Sequence, residues 1–403
     1  MENRKHILFV ISYLDKGGAE RALSNITNNA PEDWDIDILV NNDKVIDYEY
    51  NANIISMNLG DSSSLNSLFF QVGVLFKRIK KLRELKKNGD YDAVISFLDS
   101  ANFANILSGK RCRVIISARC SLDNVKSLKY RLLVDPLISL LYNRADKVVA
   151  VSRELAKELV NNQRISPEKI AVIENGYNVE EIKRLACEPI DEDIQKMIEH
   201  RPMIFTAGRL SNQKYHWHLI RAMSKVVEII PDTILLIAGE GELKEYLQEL
   251  ITVCGLTENV KLLGFVSNVY AYEKLADAFV FPSGWEGFPN ALAEAMCVGT
   301  PCIASDFKTG AKELLAPEKI EMENSVIDVS KETYGIMTPI CSGIHYSGME
   351  SLEKTELFLA EAIIDMLSNE SIREEYHKNS LIRGESFKIE DILQKWNALV
   401  ENK

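Results

Sequence analysis

The sequence predicts an α/β protein of two doubly wound domains that face a central cleft. Short apolar runs of strand length alternate with helical patterns through most of the chain, which is typical of parallel sheets covered by helices on both faces. The alternation stops once, at the polar and acidic stretch 187–193, and then starts again. A length of 403 residues also favours two hydrophobic cores over one.

In the first half, apolar runs with the length of buried strands recur between helical patterns. The strand-like runs are residues 7–12, 36–40, 54–57, 93–97, 114–117, 147–151 and 170–173. The helical patterns lie near residues 19–30, 65–88, 101–109, 127–143 and 153–161. We therefore expect a first domain over residues 1–186.

After the acidic stretch the same rhythm predicts a second domain over residues 187–384. Its strand-like runs are residues 203–207, 233–238, 260–263, 278–281 and 302–304. Its helical patterns lie near residues 216–229, 242–253, 269–275, 290–298, 309–315, 353–368 and 370–383. An amphipathic pattern at 389–400, which includes Trp396, predicts that residues 385–403 form a helix packed back on the first domain.

Composition disfavours several classes of protein. The net charge of −12 argues against nucleic-acid binding. The seven cysteines are scattered without a C-x-x-C pair, which indicates reduced thiols in the core. No run of 18 apolar residues occurs, and the N-terminal residues lead directly into a strand, so we expect neither a spanning helix nor a signal peptide. These features favour a cytoplasmic protein.

Two cations stand out in the acidic half of the chain. Residues 1–185 contain 27 Lys+Arg and 24 Asp+Glu, a balance of +3, whereas the remainder contains 20 and 35, a balance of −15. Phosphate binding in the second half would therefore need local cations. Arg209 and Lys214 lie on the loop expected to leave the strand 203–207, and an arginine fork with a lysine point charge can hold a diphosphate. The alternative is that both are ordinary surface residues.

A second motif in this half pairs two carboxylates. Glu286 should lie on the loop after the strand 278–281, and Glu294 one turn into the next helix. Ligands of open α/β sheets bind at this edge, where a helix N-terminus offers unpaired N–H groups to an anion. Carboxylates that accept from hydroxyl groups on either side of a phosphate fit a nucleotide-sugar.

Three glycine-containing loops are weaker candidates. Gly18 follows the first strand and opens a helix, where backbone can approach a ligand, and the favoured alternative is an ordinary tight turn. The G-x-G-x-x-G pattern is absent, so dinucleotide binding is not supported. Glu240 lies between two glycines in a turn or a ligand-binding loop, and Val266 can offer its backbone to a nucleotide base.

A basic amphipathic helix is predicted around residues 72–87. Residues 76–87 contain seven cations and one acid, and Lys77, Arg78, Lys80 and Lys81 are among them. Such a helix can lie on an anionic membrane leaflet, where each cation contributes about 1 kcal/mol. The alternative is a covering helix with a solvated basic face. Residues 132–142 are a weaker second candidate for membrane contact.

No metal site is expected. The D-x-D spacing at Asp35 and Asp37 alternates within a strand. The one at Asp191 and Asp193 falls in the predicted linker, away from the strand ends. We therefore expect neither a metal nor a cofactor, because Arg209 and Lys214 can supply the positive charge.

Two motifs together resemble the retaining glycosyltransferases of family four, which have the GT-B fold of two Rossmann-like domains. The motifs are G-R-L-x-x-Q-K at 208–214 and E-G-F-P-N-A-L-A-E-A-M at 286–296. Further matches are at 17–21, 145–152, 175–176, 238–243 and 299–301, so the resemblance covers nearly the whole chain. The run 95–99 is most similar to bacterial enzymes that add hexoses or N-acetylhexosamines to polyprenyl-diphosphate-linked oligosaccharides.

The resemblance implies a role for each matching residue. Glu286 would hydrogen-bond the hydroxyl groups of the donor sugar, and Glu294 would bind the ribose. Arg209 and Lys214 would neutralise the departing diphosphate. Backbone close to the sugar and the phosphates would come from Gly18, Phe288, Pro289 and Asn290.

Two positions depart from the family pattern. Many relatives carry a histidine after the fifth strand of the first domain, where this chain has Arg119, which can instead meet an acceptor phosphate. Relatives commonly have glycine after the lysine that matches Lys214, where this chain continues Tyr215-His216-Trp217-His218. These aromatic residues either shape the acceptor or phosphate site or simply begin a helix.

The predicted activity is transfer of a hexose or N-acetylhexosamine from a nucleotide-sugar, expected to be UDP-linked, to a polyprenyl-diphosphate-linked oligosaccharide. The enzyme would be retaining, metal-independent and peripheral on the cytoplasmic leaflet of a bacterial membrane. Two alternatives stay open: a nucleotide-sugar epimerase of the same fold, and a non-catalytic partner in a polysaccharide assembly complex.

Overall fold

The structure is a computed structural model that describes residues 4–60, 68–120, 134–322 and 325–401. The chain divides into a first unit, Met1–Asn178 with Lys388–Lys403, and a second unit, Val179–Phe387. The helix Val179–Leu185 packs on helices of the second unit. The boundary therefore falls before this helix and not after residue 186, and the chain returns to the first unit at Lys388 and not at residue 385.

The first unit is built on a parallel sheet of seven strands in the order β3-β2-β1-β4-β5-β6-β7. Its strands are β1 (Lys5–Val10), β2 (Trp34–Val40), β3 (Asn53–Ser56), β4 (Ala93–Phe97), β5 (Arg113–Ala118), β6 (Lys147–Ala150) and β7 (Ile170–Val172). Its first five helices are α1 (Gly18–Asn28), α2 (Leu68–Asn88), α3 (Asp99–Leu107), α4 (Asp135–Leu141) and α5 (Arg153–Asn161). The predicted helical residues 65–67 and 127–133 lie outside the described residues.

Helices cover both faces of this sheet because the side chains of each strand alternate between two apolar cores. On β1, Leu8 packs with Ile79 and Leu82 of α2. The next residue, Phe9, packs with Leu23 of α1 on the opposite face.

The second unit is a second doubly wound sheet, in the order β10-β9-β8-β11-β12-β14-β13, with only β13 antiparallel. Its helices are α6 (Val179–Leu185), α7 (Glu192–Ile198), α8 (His216–Ile229), α9 (Lys244–Val253), α10 (Val269–Leu275), α11 (Asn290–Cys297), α12 (Ala311–Leu315), α13 (Lys354–Ser368) and α14 (Glu370–Glu385). Its strands are β8 (Met203–Ala207), β9 (Ile234–Ala238), β10 (Val260–Gly264), β11 (Ala278–Phe281), β12 (Cys302–Ser305), β13 (Ser330–Glu332) and β14 (Gly335–Thr338). The predicted fold class, two doubly wound α/β units, is confirmed.

The last helix, α15 (Ile389–Glu401), belongs to the first unit. Trp396 is 1% exposed, and its ring stacks on Phe97 of β4 with 6.1 Å between the ring centroids. Lys5 at the start of β1 also donates to Glu401 at 2.6 Å. The amphipathic face of α15 thus completes the core on the α1 side of the sheet.

Four elements of the structure were not predicted from the sequence patterns. The strands β13 and β14 are short, and β13 forms one edge of the sheet with β14 beside it. The helix α6 continues directly from the end of the first unit. The acidic stretch contains the start of α7, because the Asp191 carboxylate accepts hydrogen bonds from the N–H groups of Asp193 and Ile194. Across the described ranges, every helix is too short or too polar to cross a bilayer.

Candidate functional site

The candidate site lies where the second unit's sheet reverses its strand order. The neighbouring strands β8 and β11 are parallel, and the loops that leave their carboxyl ends carry the predicted charged residues. Arg209 and Lys214 follow β8, and Glu286 follows β11. In doubly wound sheets, ligands bind in the crevice outside the strands at this switch point.

An ion pair joins the two loops. Lys214 Nζ lies 2.7 Å from Glu286 Oε1, and the two side chains are 16% and 9% exposed. Gln213 Nε2 donates to Glu286 Oε2 at 2.9 Å and to the carbonyl oxygen of Trp285 at 2.8 Å. The Lys214 ammonium also lies 4.4 Å from the centroid of the Phe281 ring. Both oxygens of the Glu286 carboxylate are therefore held by the loop after β8, one of them by an ion pair.

The loop after β12 supports Glu286 from the backbone. The Thr309 hydroxyl donates to the carbonyl oxygen of Glu286. Thr309 has a φ of 65°, which is rare for a β-branched residue and costs about 1–3 kcal/mol. A Cβ on the next residue, Gly310, would lie 2.5 Å from Pro289 Cδ. The backbone between Glu286 and Pro289 is thus closely packed on this side as well.

Glu294 lies in the second turn of α11, as predicted, and is 2% exposed. Phe288 and Pro289, which precede the helix, are also buried, and Asn290 at its start is half-buried. The first N–H groups of a helix have no intrahelical acceptor and favour an anion. In the sequence, the first residue of α11 thus lies between Glu286 and Glu294.

Gly239 and Gly241 are explained by backbone packing between loops. A Cβ on Gly239, whose φ is 142°, would lie 1.9 Å from the carbonyl oxygen of Gly208. A Cβ on Gly241 would lie 2.3 Å from the carbonyl oxygen of Leu210. The Leu210 N–H donates to the carbonyl oxygen of Glu240 at 2.9 Å. Packing against the loop after β8 therefore accounts for both glycines.

The other predicted residues of this edge are accessible. Arg209 and Glu240 are exposed, and Val266 is half-buried. The N–H group of Gly239 donates to the carbonyl oxygen of Gly264 at 2.7 Å, which joins the loop after β10 to its neighbours. Backbone hydrogen bonds thus connect the loops that carry these three residues.

In the first unit, Arg119 is a buried structural residue. Its Nε donates to Ser117 Oγ at 3.0 Å, and its Nη1 donates to Asn175 Oδ1. The guanidinium lies 4.1 Å from the centroid of the Phe97 ring. Burial lowers the pKa of Arg119 to about 10. These contacts and its burial argue against the expectation that Arg119 is available to an acceptor phosphate, because the side chain already joins the end of β5 to the loop after β7.

Gly18 is the exposed first residue of α1, at the carboxyl edge of the first unit's sheet. The glycine before it, Gly17, leaves room for a side chain of the helix: a Cβ there would lie 2.0 Å from Glu20 Oε2. Local packing therefore accounts for Gly17, whereas Gly18 keeps an accessible backbone.

The basic helix α2 buries two of its cations. Arg78 is 1% exposed and donates to Ser12 Oγ at 3.1 Å, Asn41 Oδ1 at 2.6 Å and Ser100 Oγ at 3.0 Å. Lys86 donates to two backbone carbonyl groups at 2.9 and 2.8 Å. Burial lowers the pKa of Arg78 to about 10 and that of Lys86 to about 8. Arg78 is therefore not part of an exposed basic surface, contrary to the prediction.

Among Lys77, Lys80 and Lys81 of α2, two lysines are exposed. Lys77 and Lys80 are exposed, and Phe76 beside them is 67% exposed. Lys81 is half-buried and forms an ion pair with Glu84 at 3.3 Å. The exposed side of α2 thus combines an aromatic residue with Lys77 and Lys80.

The aromatic run after Lys214 begins α8 and is largely buried. His216 is 2% exposed, and burial, together with the nearby Lys214 charge, lowers its pKa to about 3. The Trp217 indole N–H donates to the carbonyl oxygen of Ile344 at 2.9 Å. His216 and Trp217 thus begin a helix, as the second interpretation of this run expected. Tyr215 lies just before the helix.

One cluster in the described ranges combines metal-ligand types: His218, Cys341 and Glu353, whose ligand atoms lie within 4.8 Å of one another. Hydrogen bonds already engage the histidine. Its Nδ1 lies 2.7 Å from Glu356 Oε1, and its Nε2 accepts from the N–H of Gly343 at 3.2 Å. Protein contacts therefore account for this cluster.

Each D-x-D spacing includes an aspartate with a structural contact. Asp37 Oδ1 accepts from Asn53 Nδ2 at 2.7 Å on the neighbouring strand. Asp191 caps α7, as described above. Both spacings thus serve the fold.

Comparison with known proteins identifies the family. Residues 16–181 match the family described as Glycosyltransferase Family 4, and residues 189–332 match Glycosyl transferases group 1. An uncharacterized glycosyltransferase of Methanocaldococcus jannaschii is 30% identical over 359 residues, 85% of this chain and 87% of that protein. The chain belongs to the family 4, group 1 glycosyltransferases.

Other relatives of this glycosyltransferase have more specific names. An N-acetylgalactosamine-N,N'-diacetylbacillosaminyl-diphospho-undecaprenol 4-alpha-N-acetylgalactosaminyltransferase of Campylobacter jejuni is 32% identical over 327 residues, 79% of this chain and 86% of that protein. The solved structure of Anabaena HepE in complex with UDP matches with a TM-score of 0.71 at 20% identity, over 97% of this chain and 98% of that one. The glycosyltransferase therefore has the predicted GT-B fold.

Replacing Gly239 by alanine tests the packing of the glycosyltransferase's loops. Gly239→Ala should lower the free energy of unfolding of the second unit by about 2–5 kcal/mol, because strain at positive φ adds to the clash with Gly208. Gly255→Ala is the matched control: its φ is also positive, at 70°, but no atom lies within 4 Å of its Cβ. Urea unfolding followed by tryptophan fluorescence measures both, and equal losses would contradict the packing.

Proposed function

We propose that this glycosyltransferase is a retaining, metal-independent enzyme that moves a hexose or N-acetylhexosamine from a UDP-sugar to a polyprenyl-diphosphate-linked oligosaccharide in bacterial surface glycan synthesis. The observation that carries the proposal is the Lys214–Glu286 pair at the switch point of the second unit. In this pair, the Lys214 ammonium can bind a phosphate, and the Glu286 carboxylate can accept hydrogen bonds from sugar hydroxyl groups. The two groups lie within hydrogen-bond distance of each other. The second unit would bind the donor, and the first unit the acceptor.

Stabilisation of the leaving group follows from the positive groups of the site. As the glycosidic bond breaks, negative charge grows on the nucleotide diphosphate. Lys214, Arg209 and the first N–H groups of α11 would meet that charge without rearrangement, and one such preorganised group contributes about 2.7–4 kcal/mol. Protein cations in this role make a metal ion unnecessary.

The two carboxylates would orient the donor. Glu286 has a defined geometry because Gln213 and Lys214 hold its oxygens, and a sugar hydroxyl can donate to a remaining lone pair of this carboxylate. Glu294, buried in α11, would bind the ribose. The backbone near Val266 would contact the base, and the exposed Glu240 lies on the neighbouring loop.

Relatives support the choice of donor and acceptor. HepE, which shares the fold, was solved with UDP bound. The name of the Campylobacter jejuni relative specifies transfer of N-acetylgalactosamine to a saccharide on diphospho-undecaprenol. A UDP-sugar and a lipid diphosphate are therefore the substrates to test first.

Lys214→Met should lower the kcat of sugar transfer about 10²–10³-fold, because it removes a charge that acts on the leaving group. Lys225→Met is the matched control, since Lys225 lies on α8 in the same unit and pairs with an exposed glutamate at 2.6 Å. Mass spectrometry of the products formed from UDP-sugars and an undecaprenyl-diphosphate-linked saccharide measures transfer. Equal activity of both variants would contradict the proposal.

The same assay separates the alternatives. An isomerised nucleotide-sugar with no elongated acceptor would indicate an epimerase. A wild-type protein that turns over none of the UDP-, GDP- or ADP-sugars would indicate a non-catalytic partner. The anomeric configuration of the new linkage, read by NMR, tests retention.

For the acceptor, we propose that α2 contacts the cytoplasmic membrane leaflet. Phe76, Lys77 and Lys80 form an exposed aromatic and basic surface. On α4, which like α2 contacts α3, Leu137 is 41% exposed and Leu140 is 68% exposed. Apolar residues beside cations favour an anionic bilayer surface, where lipid-linked acceptors reside.

Replacing Phe76, Lys77 and Lys80 together by serine should weaken binding to vesicles that contain anionic lipid by roughly 30-fold or more, since each cation contributes about 1 kcal/mol. The control replaces Lys16, Lys44 and Val45 by serine, which are also exposed in the first unit. Sedimentation with vesicles at two salt concentrations measures both. Equal weakening by the two triple variants would contradict a specific role for α2.

A further inference from the structure

Tyr215, directly after Lys214, has an unusual backbone conformation. Its φ of 52° and ψ of 29° are left-handed. A side chain is disfavoured there because Cβ approaches the following carbonyl oxygen, so glycine is the usual occupant. Residues held in such conformations require surrounding contacts that over-determine them, and they cluster at functional sites.

The Tyr215 ring fills the space beside Gly284, on the loop that carries Glu286. A Cβ on Gly284 would lie 2.5 Å from Tyr215 Cζ and 2.8 Å from its hydroxyl oxygen. The Trp285 ring meets Tyr215 edge-on, with 5.9 Å between centroids. The N–H of Gly284 donates to the carbonyl oxygen of Gln213 at 2.9 Å. The tyrosine therefore touches both residues that precede Glu286.

The same ring is backed by the segment 341–353. A Cβ on Gly343 would lie 2.3 Å from the Tyr215 hydroxyl oxygen. The N–H of Gly343 donates to His218 Nε2, and the carbonyl oxygen of Ile344 accepts from Trp217, so α8 anchors this segment. Tyr215 is thus enclosed between two glycines from distant parts of the second unit.

We propose that Tyr215 is a positioning residue that fixes Glu286 against Lys214 and so determines the place of the donor sugar. The inference rests on the proposed function. The ring acts by its bulk: its hydroxyl has no hydrogen-bond partner among the described residues. With glycine at this position, the loop 284–286 would lose the surface it packs on, while Lys214 and Arg209 would keep their charges.

The experiment is a double-mutant cycle between Tyr215→Gly and Gly284→Ala, with Tyr215→Phe as the conservative variant. Tyr215→Gly should lower kcat about 10- to 100-fold, because misplacing a group by about 1 Å costs this much. UDP affinity, measured by calorimetry, should change far less. Tyr215→Phe should stay within about twofold of wild type, since no hydrogen bond is lost.

Gly284→Ala should also lower kcat in the wild-type background, where its Cβ meets the ring. In the Tyr215→Gly background the same change should cost little, so the two effects are not additive. The melting temperature of the four proteins provides a second readout of this coupling. If Tyr215→Gly fails to fold, Tyr215→Leu takes its place in the cycle.

Three results would overturn the inference while leaving the proposed function intact. They are wild-type kcat in Tyr215→Gly, an equal cost of Gly284→Ala in both backgrounds, and a loss in Tyr215→Phe as large as in Tyr215→Gly. Absence of sugar transfer by the wild-type protein would instead overturn the proposed function, and this inference with it.

Discussion

The contact between Lys214 and Glu286 links the two loops that leave β8 and β11 at the switch point of the second unit, and the geometry of the site depends on this contact. Each charge is largely removed from water, so either one alone would be costly and the two stabilise each other. Gln213 holds the other carboxylate oxygen, and Thr309 holds the backbone at Glu286. A diphosphate would therefore meet a lysine whose position is set before binding, which is the condition for electrostatic stabilisation without reorganisation.

The fold was predictable where burial leaves a signal in the sequence. Strands such as β1 and β8 are covered on both faces, so they read as continuous apolar runs. The edge strand β13 contains Ser330, Lys331 and Glu332 and has no such signature. The start of α7 falls within the stretch 187–193 that was predicted as a linker, because acidic residues are typical of solvent-exposed chain, although Asp191 is a good N-cap.

The candidate site was predictable in position but not in detail. The order of strands and loops was enough to expect Arg209, Lys214 and Glu286 at one sheet edge. The burial of Arg78 and Arg119 could not be predicted from the sequence, because their partners Asn41 and Asn175 are distant in sequence. A basic helix with a periodic apolar face does not reveal which of its cations turns toward the sheet.

The left-handed backbone conformation of Tyr215 was only partly indicated by the sequence. The sequence shows an aromatic residue where the family resemblance implies a glycine, yet it does not show that Gly284 and Gly343 make room for the ring. The reason for these two glycines is visible only when the fold brings them to the same ring. The same holds for Gly239, whose missing side chain is explained by a carbonyl oxygen thirty-one residues earlier in the chain.

A crystal structure of the protein with UDP or a UDP-sugar tests the central claim most directly. The account predicts phosphate oxygens within hydrogen-bond distance of Lys214 Nζ and Arg209, and the ribose hydroxyl groups on Glu294. A nucleotide bound elsewhere, with the Lys214–Glu286 pair unchanged and out of contact with it, would contradict the account.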